Sequence, residues 1–359
     1  MHFHMSPKTN CMKPTHNHSM ISRLCRRFLL VGGGELEWEF CEPNLLLAET
    51  LMQCPQLWQI YLELASRHPP SINNPWHIVT AFDEFVPGNA QGSTNWRKCM
   101  VLSFSFMEFG EEHLRTPTTW MTPIVVRSSI VRKCTGGWSR MLRDYFRVQL
   151  LGPNSIQFAG CPVVIGDMSL IIHAKLKVLM SDGDGIRIGF DWRGQSGLKP
   201  CFKHFNVWKI DSDMAGRQPG HVEITCGDAT KFCAYTDADY YGSVDSAIEA
   251  KRMYNRRELT KGLFENWCKL CGLNCNEDGL PACVDLRRCF SLQETVSYDW
   301  VHTLLQDGFV SDAVFRLFEK AEKNVPGFTM RALETFLQMD CFFSGRVSVQ
   351  IQTTPSCIQ

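Results

Sequence analysis

Three apolar runs in quick succession constrain this chain more than any other feature: "WHIVTAFDEF" from residue 76, "RKCMVLSFSFMEFG" from 97 and "WMTPIVVRSSIV" from 120. The middle run sets Met100, Leu102, Phe104 and Phe106 against smaller or polar neighbours. That is the period of two by which a pleated strand buries one face. The runs are too short and too closely spaced for crossover connections, so they predict a three-strand meander. The first run ends in two acids, Asp83 and Glu84, before the turn residues Pro87, Gly88 and Asn89. Taken alone, such an acid reads as a surface residue at a strand exit. By alternation Asp83 and Glu84 face opposite ways.

The surroundings supply the other layers. "PNLLLAETLMQCPQLWQIYLELAS", residues 43–66, has helical spacing and predicts a helix pair or one broken helix. "RHPPSINNP" reads as a linker. "GGWSRMLRDYFRVQLLG" puts Trp138, Met141, Leu142, Tyr145, Phe146 and Leu150 on one side of an amphipathic helix. "CPVVIGD" and "SLIIHAKLKVLMSDGDG" predict two further strands, the second ending in Asp182 and Asp184. Helix returns over 243–271. A cysteine-containing loop spans 272–290, and 291–339 reads as two or three helices. No internal repeat is visible.

The order of helix, three strands, helix, strand and helices predicts an α/β layered fold. The specific expectation is a ribonuclease-H-like mixed sheet flanked by helices, with a mainly helical C-terminal part. The expected organisation is a disordered tail at 1–30, a helical segment at 31–72, and an α/β core at 73–235. A helical region at 236–345 and a tail at 346–359 follow, and the polar end "GRVSVQIQTTPSCIQ" suggests a chain that stops short.

Bulk properties narrow the function classes. Basic and acidic residues number 37 each among 359 residues, so any nucleic-acid surface is a local patch rather than a global field. No stretch approaches the ~18 consecutive apolar residues of a membrane span. The apolar part of "RRFLLVGGGELEWEF" is shorter than a secretory core of roughly 7–15 residues. An intracellular, nuclear location is expected. The 17 cysteines are odd in number and spread along the chain, which argues for thiols or metal ligands and against a disulfide framework. Neither "SDGDG" nor "VGGGE" has the ending of a phosphate loop, and no small-molecule substrate is expected.

Acids at three places carry the sharpest chemistry: Asp83, the pair Asp182 and Asp184, and Asp299 with Asp307 in "SYDWVHTLLQDG". If the first and fourth strands are neighbours, their acids lie side by side. Clustered carboxylates repel unless a cation sits between them, and hard oxygens suit Mg²⁺ or Mn²⁺. Such ions serve in-line phosphoryl transfer. The plainer reading of "SDGDG" is an ordinary turn.

"AFDEFVPGNA", "DGDGIRIGFDWRGQSGLKPCFKHFNV" and "SYDWVHTLLQDG" occur in an order that resembles eukaryotic cut-and-paste transposases, in particular the Plavaka-like group of the Kyakuja–Dileera–Zisupton assemblage. The resemblance spans roughly residues 40–320. It implies Asp83 and Asp182 as metal-binding acids for DNA cleavage and joining. It matches Arg193, Gly194 and Gly197 to a glycine element, and Asp299 and His302 to the late helix that carries the third acid. Two positions depart from the pattern. The second cysteine of a "C-x-x-C" is His204, paired with Cys201. The expected glutamate one turn after His302 is Gln306, a poor Mg²⁺ ligand. On a helix Asp299, His302 and Gln306 share a face, whereas Asp307 points away. A degenerate or partial copy is therefore one expectation, and a non-catalytic DNA-binding relic is its alternative.

Partner contacts follow from basic positions. Arg140, Arg143 and Arg147, interleaved with Trp138 and Tyr145, and Lys199 are expected to meet DNA phosphates, against the plainer reading of a solvated helix face. A homo-oligomer is also anticipated. Cys201 with His204, and Cys268 with Cys271, have zinc spacing, so an α/β scaffold with structural Zn²⁺ is a third reading. Buried thiols acting as small hydrophobes are its alternative.

Overall fold

The computed structural model describes residues 23–298 except 32, 86–96, 210–219, 224, 225 and 227, together with 299, 320, 323, 324 and 329. The chain divides into two units, Met1–Tyr298 and Asp299–Gln359. In the second, the Asn324 side-chain amide donates to the Lys320 carbonyl at 2.7 Å.

The first unit opens with an antiparallel hairpin of β1 (Arg23–Leu29) and β2 (Glu35–Cys41). The tail expected to reach residue 30 thus contains a strand. Helices α1 (Pro43–Gln53) and α2 (Pro55–Arg67) follow, each opening on a proline. Proline lacks an N–H and suits a first helical turn, so Pro55 both ends one helix and starts the next. The expected meander is present as β3 (Trp76–Phe85), β4 (Cys99–Phe106) and β5 (Met121–Arg127), with short α3 (Gly110–Leu114) before β5 and α4 (Ser128–Val131) after it. Helix α5 (Gly137–Phe146) continues into one wider turn, Arg147–Leu151.

The stretch from Ser169 to Ser181, expected within one strand, belongs to two: β7 (Met168–Ile172) and β8 (Ala174–Ser181). β7 pairs back on β6 (Cys161–Ile165), because the two-residue loop Gly166-Asp167 reverses the chain with Gly166 at φ +60°. Then come α6 (Gly183–Gly189), the two-residue parallel pair β9 (Val207–Trp208) and β10 (Val222–Glu223), α7 (Asp237–Asn255), α8 (Lys261–Cys271), α9 (Leu292–Thr295) and β11 (Val296–Tyr298). A capping box between Thr236 and Asp239 starts α7, and Gly272 at φ +73° ends α8.

The main sheet has five strands in the order β11-β8-β3-β4-β5. β3, β4 and β5 are antiparallel, whereas β3, β8 and β11 run parallel. The sheet is therefore mixed. It also reaches past the expected core limit of 235, since its edge strand begins at Val296.

Alternation assigns the two faces. Trp76, Ile78 and Phe82 of β3 and Met100, Leu102, Phe104 and Phe106 of β4 are buried on one side. There Tyr61 of α2 packs on Trp76 and Phe106, and Trp138 of α5 packs on Phe82. The opposite side carries Ala81, Asp83, Phe85, Val101, Ser103 and Val125 as an open shelf. No helix among the described residues is long and apolar enough to cross a membrane.

Candidate functional site

The ladder between β3 and β8 brings two of the expected acids to the same level. Ala81 pairs with Met180, and the next residues are joined by a hydrogen bond from the buried Ser181 hydroxyl to the Phe82 carbonyl at 2.7 Å. Asp83 and Asp182 are one step further along their strands. Asp83 follows a residue on the helix-covered side and lies on the open side, whereas Asp182, just past the end of β8, turns to the first turn of α6. Asp83 is exposed, and its Oδ1 accepts from the Glu84 N–H at 2.6 Å.

Asp182 is the N-cap of α6, where its Oδ1 accepts from the Gly185 N–H. "SDGDG" is thus a strand-to-helix junction, not a free turn. Two glycines make the junction fit. A Cβ on Gly185 would lie 1.8 Å from Ser181 Oγ, and one on Gly189 would lie 2.9 Å from Phe82 Cζ and 3.1 Å from Leu142 Cδ1. Asp184 turns outward and pairs with Arg187 at 3.0 Å. Glu84, facing the other way from Asp83, bonds to Lys98 at 2.7 Å. Partial burial raises its pKa, but the Lys98 and Ser128 hydrogen bonds prevail and hold it below the usual glutamate value.

Asp299 directly follows β11, and the late helix expected to open at it lies outside the described residues. His302, Gln306 and Asp307 lie outside the described residues. Among the described residues no group of three or more His, Cys, Asp or Glu side chains is arranged to hold a metal ion. The two strand-end aspartates offer the hard oxygens that Mg²⁺ or Mn²⁺ prefers, but a third donor would have to come from beyond them.

Three of the basic residues expected on DNA are engaged internally. Arg140 and Arg143 reach Asp278 at 3.5 and 3.1 Å, and Arg143 also holds Asp144 at 2.9 Å. Both arginines are largely covered. The Lys199 ammonium lies over the rings of Trp208 and Tyr235, where burial lowers its pKa. Arg147 is exposed. Arg193 donates from Nε to the Leu273 carbonyl at 3.0 Å, so the glycine element Arg193-Gly194 docks on the end of α8.

Cys201 and His204 do meet, with Sγ 3.1 Å from Nδ1, yet this is a pair and not a tetrahedral set. Cys268 is buried in α8, where burial pushes its thiol up, as it does for Cys271 and Cys275. These thiols pack as small hydrophobic groups.

One residue escaped the sequence reading. Asp191 follows the end of α6 at φ +56°, and its carboxylate is enclosed. Ser139 Oγ donates to it at 2.6 Å and Asn276 Nδ2 at 3.0 Å. Burial pushes this carboxyl up to about 7, with the two hydrogen bonds opposing. The available signal was an acid between two core aromatics, Phe190 and Trp192.

Compared with protein-family models and with curated proteins, the chain matches none of them.

Proposed function

We propose that this chain is a transposon-derived protein on a ribonuclease-H-like framework, with a metal-dependent DNA strand cleavage and transfer site built on Asp83 and Asp182. The observation that carries this reading is the level placement of the two aspartates at the ends of adjacent parallel strands, β3 and β8, in a sheet ordered β11-β8-β3-β4-β5. A ribonuclease-H-like sheet has the same order, with three antiparallel strands and two more added parallel to the first. A bound Mg²⁺ or Mn²⁺ pair would supply an activated oxygen nucleophile and stabilise the leaving oxygen. The third acid of this reading is Asp299 or Asp307. DNA is the substrate class, and the nucleus is where it would be met.

A second reading, a non-catalytic DNA-binding relic on the same framework, is favoured by a specific observation. One oxygen of Asp182 already caps α6, which gives that residue a structural reason to be present. Gln306 at the expected glutamate position points the same way.

A Mg²⁺-dependent nicking assay on supercoiled DNA separates the two readings. Wild type is expected to nick, and Asp182→Asn and Asp83→Asn are not. Nicking that survives both substitutions would sink the assignment. DNA binding without nicking in wild type would establish the relic.

A further inference from the structure

We propose that the open face of the sheet beside Asp83 binds an unpaired stretch of nucleic acid, with a base laid on Phe85 and phosphates along a basic rim that begins at Arg127. The inference rests on the nucleic-acid part of the function proposed above and not on its metal site.

The strand registers lay this surface out in rows. Phe85 of β3 pairs with Cys99 of β4, and Cys99 with Arg127 of β5. One row further in, Asp83 pairs with Val101, and Val101 with Val125. Alternation puts all six on the open side. The shelf they share bounds an open cavity of about 530 Å³, and Asp83 is the one charged residue that lines it. Ser103, the other polar residue of the lining, is tied through its hydroxyl to Thr122 at 2.8 Å. Two apolar side chains stand out into solvent at the mouth. Phe85 is 56% exposed and Val125 61%. A flat ring beside a valine shelf fits a ligand with a flat apolar face, and every nucleobase has one.

Charge selects the occupant. Arg97, Arg127, Arg132 and Lys133 are all exposed. They gather at one end of the sheet, because the Ser128 N–H donates to the Lys98 carbonyl at 2.9 Å and holds the start of α4 against the start of β4. Arg132 is close enough to help hold the Glu84 carboxyl below its usual value, and Lys98 bonds to the same carboxylate. Residues 86–96, between Phe85 and Arg97, add no charge. In a chain with a formal net charge of zero this is a local basic rim. An apolar protein surface would leave those cations without counter-charge. An anionic polymer carrying flat bases meets both the rim and the shelf. A duplex keeps its base faces inside its own stack, so an unpaired strand is the form that can offer one to Phe85.

Fluorescence anisotropy of a short labelled oligothymidylate, and of a duplex of the same length, tests the surface. The full chain is used, in EDTA so that no strand is cut. Wild type is expected to bind the single strand more tightly than the duplex. Phe85→Ala is expected to lower single-strand affinity about tenfold and to leave duplex affinity unchanged, and Phe85→Trp to retain wild-type affinity. Arg127→Gln is expected to flatten the dependence of log affinity on log salt by about 0.7, the share of one single-strand phosphate. Equal single-strand affinity of wild type and Phe85→Ala, or a preference for duplex, overturns the proposal. So does a wild-type dimer that Phe85→Ala turns into monomers while neither protein binds oligonucleotide, which would give the face to a second copy. If Phe85→Ala does not fold, ultraviolet crosslinking of a bromodeoxyuridine oligonucleotide to wild type decides. An adduct at Phe85 supports the surface, and adducts only elsewhere refute it. Absent nicking with Phe85-dependent binding retained would remove the metal site and leave this surface standing.

Discussion

The Ser181 hydroxyl donates to the Phe82 carbonyl at 2.7 Å, and this bond locks β8 to β3 one residue before Asp182 and Asp83. Both partners are buried, so the bond is shielded from water. Ser181→Ala is expected to leave the Phe82 carbonyl one partner short and to lower stability by ~1–2 kcal/mol. Chemical denaturation would show a lower midpoint with an unchanged slope.

Gly189 sets propensity against packing. Alanine would favour the helix by ~1 kcal/mol. Its methyl group, however, would press on Phe82 and Leu142 at 2.9 and 3.1 Å. Overpacking of this kind costs about 1–3 kcal/mol, so Gly189→Ala is expected to be net destabilising. In a double-mutant cycle, Phe82→Leu should recover part of that loss. Strict additivity would show that the two side chains do not compete.

At Asp182 the cap can be separated from the chemistry. Asparagine is as good an N-cap as aspartate, whereas alanine loses ~1 kcal/mol. Asp182→Asn should therefore melt like wild type while losing Mg²⁺-dependent nicking. Asp182→Ala should lose both. Equal melting of all three proteins would remove the capping role inferred from the Gly185 contact.

Two carboxyl groups give opposite slopes of stability with pH. Asp191 sits above its unfolded value, 3.8 against about 7, so the folded state holds the extra proton between them. Its contribution is fully present below ~4 and is lost as pH rises towards 7. Glu84 is held below its ordinary value of 4.5. Its contribution is present above that value and is lost as pH falls through the lower folded value. Thermal melts from pH 3 to pH 8 should show Asp191→Asn gaining on wild type as pH rises from ~4 to about 7 and levelling off beyond, and Glu84→Gln losing its deficit in acid. A flat difference for either variant would contradict the assignment.

Much of the frame is legible in local pattern. The period of two in β4, the prolines that open α1 and α2, and the apolar stripe of α5 are short-range facts. They identified the meander, the helix pair and the helix that covers Phe82, and they implied that the fourth strand joins the first. Two elements were misread for local reasons as well. The break at His173 between β7 and β8 hid inside an apolar stretch, and α6 hid behind glycines that disfavour a helix in isolation.

Only the folded chain decides the rest. Gly185 and Gly189 belong in α6 because Ser181, Phe82 and Leu142 occupy the space a side chain would need. Arg140 and Arg143 resembled a phosphate-binding face until Asp278, far along the chain, closed on them. Asp191 is one acid among many in the sequence. Its raised proton affinity comes from burial by the surrounding fold, which the hydrogen bonds from Ser139 and Asn276, 52 and 85 residues away, only partly oppose. Backbone periodicity is a property of neighbours along the chain. Burial, steric fit and pKa are properties of neighbours in space, and those exist only once the loops between them have closed.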